Sequence, residues 1–183
     1  MNSHGQRFSV FSRWLHWLMA VMVLGMLFLG IGMAASVSER YRLLVAIHRP
    51  LGVAILVLVA IRLVNRLLHP PPPLPDSLPR VQRVAATASH GVLYALMFIM
   101  PLLGWAMLSA APYPVVIFGS VQLPPILPQD PVLYALLRKL HTDFAYLLFG
   151  VFLAHLGAAL LHGLIRRDGV FESMASWGRR PRE

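Results

Sequence analysis

The chain has no cysteine, which excludes thiolate metal sites, iron–sulfur clusters, disulfides and thioether attachment of a cofactor. It is also poor in charge. Only 13% of its 183 residues are Asp, Glu, Lys or Arg, roughly half of what a soluble domain carries. Acids are scarcest, seven against sixteen basic residues, for a formal net charge of +9. Such an excess would suit nucleic acid if it formed one basic stripe, but the arginines are dispersed around apolar runs, so no nucleic-acid partner is expected. There is no room for a soluble domain, because the longest connection between those runs is Pro112–Pro131, and there is no internal repeat.

What is abundant is apolar: 57% of the chain. Four runs, Trp14–Ala35, Leu43–Leu68, Val84–Ala111 and Leu133–Ile165, are each long enough to cross a ~30 Å hydrocarbon core as a helix. The expected fold is all-α, an integral membrane four-helix bundle in contact with lipid and forming one domain over residues 1–183. The first run has Arg7 and Arg13 ahead of it and Ala34-Ala35-Ser36 at its end, as a cleaved leader would. It is too long for a leader's apolar stretch and contains His16, so it reads as a retained span. Arg7, Arg13, Arg62, Arg66, Arg80, Arg83, Arg166, Arg167, Arg179, Arg180 and Arg182 flank the end that carries both termini, against Arg40, Arg42, Arg49, Arg138 and Lys139 at the other. The positive-inside rule then puts both termini in the cytoplasm.

The connections carry their own signals. Pro70-Pro71-Pro72-Pro73-Leu74-Pro75 is a stiff extended linker that stops the second helix and keeps it from fusing with the third. The outer loop has prolines at 112, 114, 124, 125, 128 and 131, with Tyr113, Ile117, Phe118 and Val121 among them. A loop so rich in proline is not helical throughout, and one so apolar is expected to lie on the bundle mouth as a lid over an outward-facing cofactor.

His141 and His155 stand fourteen residues apart in the fourth run. At 3.6 residues per turn the second ring returns to within ~40° of the first, about 21 Å further along the axis. An ionisable ring inside a membrane helix is costly unless it faces the bundle interior and has a function there, and neutral imidazole is a common axial ligand of haem iron. Two stacked haems are the natural reading. His48, near the outer end of the second run, is the partner available to His141. The inner depth holds four histidines: His16, His90, His155 and His162. By depth alone His16 matches His162 slightly better than His155, whereas the buried position of His155 suits a ligand, so both pairings stay open on the residues themselves.

A lone membrane histidine is more often an interhelical hydrogen-bonding residue than a ligand, and His90 and His162 fit that role as well as a functional one. Four rings at two matched depths on three helices point instead to ligation by His16, His48, His141 and His155. His4 and His69 read as solvated. Gly25, Gly30, Gly32, Gly52, Gly91, Gly150 and Gly157 would admit a flat macrocycle or a close helix, with Gly52 one turn from His48.

In order along the chain, Arg13-Trp14-Leu15-His16-Trp17, Ile47-His48-Arg49-Pro50-Leu51-Gly52, the exit from Arg62 to Pro73, Ser89-His90-Gly91-Val92-Leu93-Tyr94 with Met100-Pro101-Leu102-Leu103-Gly104, and Leu140-His141 through Ala154-His155 to Leu161-His162 resemble the bacterial cytochrome b561 family. The resemblance runs almost end to end. It implies a multi-pass protein of the bacterial inner membrane with two haem b, held by His16 with His155 on the inner side and by His48 with His141 on the outer side. It also implies a quinone beside the inner haem, where His162, His90 and Ser12 are the candidate contacts. One departure is Gly163, where family members often carry a second histidine or a tyrosine.

Iron held by two histidines has no open position for dioxygen, so such haems pass single electrons. A protonatable inner histidine could serve the two protons that quinone reduction needs, with His162, His90 or the arginines near the exit as candidates for proton delivery. Outside, Arg40, Arg42, Arg49, Arg138 and Lys139 could balance haem propionates or draw in a small anion. Asp143 is either a partner of His141 or of a nearby arginine. The leading expectation is electron transfer from an outer one-electron donor to ubiquinone, most concretely superoxide oxidation. The alternative is a membrane cytochrome b subunit serving a separate dehydrogenase or reductase, with a periplasmic redox protein as its outer partner. A haem-free transporter or structural bundle is a third.

Overall fold

Ser9 opens the first helix, its hydroxyl accepting the Ser12 amide at 3.1 Å, one of the donors that a helix start leaves without an internal partner. That helix, α1, runs Val10–Ala34. A short turn leads into α2, Glu39–Leu68, which ends where Pro70 follows His69, since the residue before a proline is pushed out of the helical region. α3 spans Arg80–Ala110. α4, Pro131–Leu160, starts on Asp130, whose carboxylate accepts the amides of Val132 and Leu133 at 2.8 and 3.1 Å. The computed structural model describes residues 7–75, 78–113, 115–117 and 121–175. His4, Pro114, Phe118, Arg179, Arg180 and Arg182 lie outside them.

All four helices begin two to four residues before the apolar runs do. The runs mark the hydrocarbon-length portion, whereas the helices continue into charged first turns such as Glu39-Arg40-Tyr41-Arg42, where water and headgroups solvate the side chains and the helical hydrogen bonds persist. Pro50 and Pro101 sit inside α2 and α3, and membrane helices tolerate such breaks when neighbours cover the freed carbonyls. The proline-rich loop between α3 and α4 is not helical throughout, as its prolines require. It holds an antiparallel hairpin, β1 (Val115–Ile117) on β2 (Val121–Leu123), with Val116 opposite Gln122. Val115 and Ile117 are buried, and β1 packs on α2 and α3.

The helices form a ring in sequence order, α1 on α2, α2 on α3 and α3 on α4, with the α1–α4 seam the most loosely packed. Val23, Leu27, Ile55, Leu96 and Leu148 form the core cluster at mid-height. Outward-facing side chains are apolar and bare: Val21 is 68% exposed, Phe28 66% and Leu67 72%. A surface of that kind needs lipid as its solvent, and all four helices are long and apolar enough to cross a membrane.

Beyond α4 the chain widens into a π-helical turn, Leu161–Arg166, with the Arg167 amide donating to the His162 carbonyl at 2.8 Å. Arg167 and Gly169 take positive φ, 50° and 83°, and the chain folds back into a short helix α5, Val170–Ala175. That helix is tied to the start of α1: the Phe8 amide donates to the Ser173 carbonyl and Trp17 Nε1 to the Met174 carbonyl, both at 3.2 Å.

Candidate functional site: two histidine levels

The core cluster lies between two polar levels because α1, α2 and α4 repeat their interior residues at heptad spacing, which keeps one face inward. On α4, Leu148 is seven residues from both His141 and His155. Val23 follows His16 by seven on α1, and Ile55 follows His48 by seven on α2. An apolar layer thus separates a level near the hairpin from a level near the described chain ends.

At the hairpin level the rings of His48 and His141 face each other with centroids 6.2 Å apart and planes at 66°. The Nδ1 atoms of both are buried and have no hydrogen-bond partner in the protein. Gly104 of α3 lies against His141; a Cβ there would stand 3.4 Å from Cε1 and 3.8 Å from Nδ1 of the ring. A Cβ at Gly52, one turn from His48 on α2, would stand 3.6 Å from the Met26 methyl of α1.

At the terminal level, His16 and His155 have centroids 6.3 Å apart at 72°. His155, not His162, is therefore the α4 ring that meets His16. His90 of α3 adds a third imidazole, 5.3 Å from His155. Arg62, fourteen residues past His48 on the interior stripe of α2, places Nη2 3.1 Å from His16 Nδ1 and donates from Nε to the Tyr94 hydroxyl at 3.0 Å. The Arg66 guanidinium stands over the same ring, 5.7 Å from its centre. Ser12 is buried between α1 and α2, its hydroxyl accepting from Asn65 at 2.7 Å and from Ser9 at 2.9 Å. It also lines a polar cleft of about 260 Å³ with Arg7, Ser9 and His69.

His162 sits in the π turn, Nδ1 2.6 Å from an Asp168 oxygen. The other Asp168 oxygen accepts the Val170 amide at 3.2 Å and so caps α5. Gly163 has a reason to lack a side chain: a Cβ there would come within 2.9 Å of the Phe171 ring of α5.

The cations at the hairpin end are less free than their number suggests. Arg42 pairs with Glu39, and Lys139 with Asp143 at 2.6 Å, so Asp143 is in a surface ion pair, with a lysine one turn away and not with an arginine. Arg40 and Arg138 are exposed and Arg49 half-buried. The loop that carries the hairpin is pinned to α3: Trp105 Nε1 donates to the Pro124 carbonyl at 2.9 Å, the Ile126 amide to Ser109 Oγ at 3.1 Å, and the Asp130 amide to the Ala110 carbonyl at 3.0 Å.

The family model for prokaryotic cytochrome b561 matches residues 7–177. The chain belongs to that family. Cytochrome b561 homolog 2 of Escherichia coli K12 is 30% identical over 92% of this chain and 91% of its own. Cytochrome b561 homolog 1 of the same organism is 28% identical over 92% and 96%. A protein of Yersinia pestis named probable superoxide oxidase CybB is 28% identical, again over 92% and 96%. As a prokaryotic cytochrome b561 the chain is a multi-pass membrane protein of electron transfer, and the family's cofactor is haem b.

The residues present fit that group. A metal–imidazole bond is about 2.0–2.1 Å and a ring nitrogen lies roughly 1.1 Å from its ring centre, so two imidazoles facing one metal have centroids about 6.3 Å apart. The two cross-helix pairs stand at 6.2 and 6.3 Å, and His90–His155, at 5.3 Å, is too close. Tyr94, Asn65, Gly104 and Asp168 were not singled out from sequence as site residues, and Arg62 only as one of the exit arginines. A signal existed for two of them, since Arg62 follows His48 and Gly104 follows His90 by the same fourteen residues that separate His141 from His155.

Proposed function

We propose that this cytochrome b561 binds two haem b, one per histidine pair, and carries electrons one at a time from a periplasmic donor to ubiquinone in the bacterial inner membrane, with superoxide as the donor. The observation that carries this reading is the pair of facing imidazole couples, each at a one-metal separation and stacked through an apolar layer. Haem bound between two histidines supplies a one-electron couple closed to dioxygen. Two superoxide anions each give up one electron and leave as dioxygen; ubiquinone takes the two electrons and two protons and leaves as ubiquinol.

The arginine excess at the terminal end supports a cytoplasmic location for it, which makes the terminal level the inner one. There the quinone contacts are proposed to be His162, His90 and Ser12. His162 is held by Asp168 as an oriented proton carrier, beside a cleft of about 270 Å³ lined by Leu160, Gly163, Leu164 and Phe171. The outer level lies under the exposed cations Arg40 and Arg138, which attract a small anion. The name of the Yersinia relative supports the choice of donor. The same cationic face would also take an acidic periplasmic redox protein, which keeps the role of a subunit serving a partner dehydrogenase or reductase as a second reading.

Stopped-flow mixing of the oxidised, haem-loaded protein with superoxide, followed by ubiquinone, tests the proposal. Rapid haem reduction and then reoxidation by quinone are expected. Haems that superoxide leaves oxidised but a quinol reduces would favour the partner-protein reading.

A further inference from the structure

The two histidine levels differ in what stands behind the rings. A histidine that ligates a metal ordinarily gives its second nitrogen's proton to a carboxylate, carbonyl or water. Behind His16 stands a guanidinium, which has only donors and cannot lose its charge. Arg62 reaches His16 Nδ1 at 3.1 Å and is held from its other side by the Tyr94 hydroxyl at 3.0 Å. Its Nη1 is buried without a hydrogen-bond partner. Arg66 stands over the face of Tyr94, and among the described residues no carboxylate pairs with either arginine: Glu39, Asp143 and Asp168 are engaged with Arg42, Lys139 and His162. At the hairpin level neither His48 Nδ1 nor His141 Nδ1 has a hydrogen-bond partner, so no guanidinium is hydrogen-bonded to either atom, and Arg49 acts on His48 through its charge alone.

We infer that Arg62 is a positioning residue that raises the reduction potential of the centre at His16 and His155. The inference rests on the proposed ligand pairs. Reduction adds one electron and no proton to that centre, and a fixed cation in a low-dielectric interior stabilises the form with the extra negative charge. The cation is held by construction: Tyr94 anchors Nε, and α2 places the side chain at this depth because residue 62 shares the stripe of His48. The inner centre is thereby a better acceptor for electrons arriving from the outer one, and a weaker reductant for quinone, than the same ligands alone would make it.

The test is a spectroelectrochemical titration of the purified, haem-loaded full chain, with Arg62→Gln, Arg62→Lys, Tyr94→Phe and His16→Ala compared with the parent. Arg62→Gln should lower the reduction equilibrium constant of one centre tenfold or more, which is about 59 mV for one electron, and leave the other centre in place. Arg62→Lys keeps the charge and should stay within roughly threefold of the parent. Tyr94→Phe should shift the same centre in the same direction by less, since it frees the side chain without removing the charge. An unchanged potential in Arg62→Gln overturns the inference. Loss of one haem in Arg62→Gln but not in Arg62→Lys overturns it too, making Arg62 an anchor for the group's carboxylates, and loss in both makes it structural. His16→Ala must abolish the same centre that Arg62→Gln shifts; if it abolishes the other, the ligand assignment has failed and not the electrostatics.

Discussion

Gly104 offers the sharpest test of the hairpin level. A Cβ at this position would meet His141 at 3.4 Å, which is ordinary contact, so Gly104→Ala should fit, with a helix-propensity gain of up to about 1 kcal/mol. Gly104→Leu adds three more carbons in a gap already closed at Cβ. Either the imidazole turns away from His48 or α3 and α4 separate, and overpacking of this kind costs about 1–3 kcal/mol. If that cost falls on the ligated state, haem at this level is held roughly five- to a hundredfold more weakly, at 1.4 kcal/mol per tenfold. The assay is haem per polypeptide by pyridine haemochrome, together with the reduced α-band resolved by redox titration. Gly104→Ala should keep both centres. Gly104→Leu should lose or perturb one centre, the same one that His48→Ala removes. Full haem content with unshifted bands in Gly104→Leu, or loss of the centre that His16→Ala removes, would refute the placement of Gly104 behind His141.

Three further outcomes follow from the same geometry. The parent should contain two noncovalent haems b per chain, with His141→Ala and His155→Ala each removing a different one; a haemochrome ratio of one or none would rule out the stacked pairs. His162→Leu, and to a lesser degree Asp168→Asn, should slow haem reoxidation by ubiquinone while leaving the haem spectrum intact, and a lost haem in either would make His162 a ligand. Reduction by superoxide should slow as salt rises, because exposed charges are screened beyond ~8–10 Å at ordinary ionic strength. Charge reversal at Arg40 and Arg138 should slow it more than reversal at Arg42 and Lys139, whose charges Glu39 and Asp143 already offset, and salt-independent rates would remove the steering role.

Much of this protein was legible in one dimension. Membrane spans announce themselves because a hydrocarbon core demands a length of apolar chain, and α1 to α4 follow the four runs with only their solvated first turns added. Helical periodicity is local, so His141 and His155 could be put on one face at two depths before any packing was known. The resemblance paired them with His48 and His16 from motif order. What periodicity leaves open is which side chain on a neighbouring helix meets a given ring, because that depends on helix rotation and tilt, and both are decided by packing across the bundle. Periodicity and depth left His155 and His162 both open as the ring that meets His16; the structure brings His155 there, while the chain widens into a π turn at Leu161 and hands His162 to Asp168. Only the tertiary structure turned Asp143 to Lys139, Gly52 to Met26 and Arg62 to His16. Composition and periodicity set the bundle and the two depths; rotation of each helix against its neighbours chose the partners, because contacts within a few ångströms between residues far apart in sequence are made by the fold as a whole.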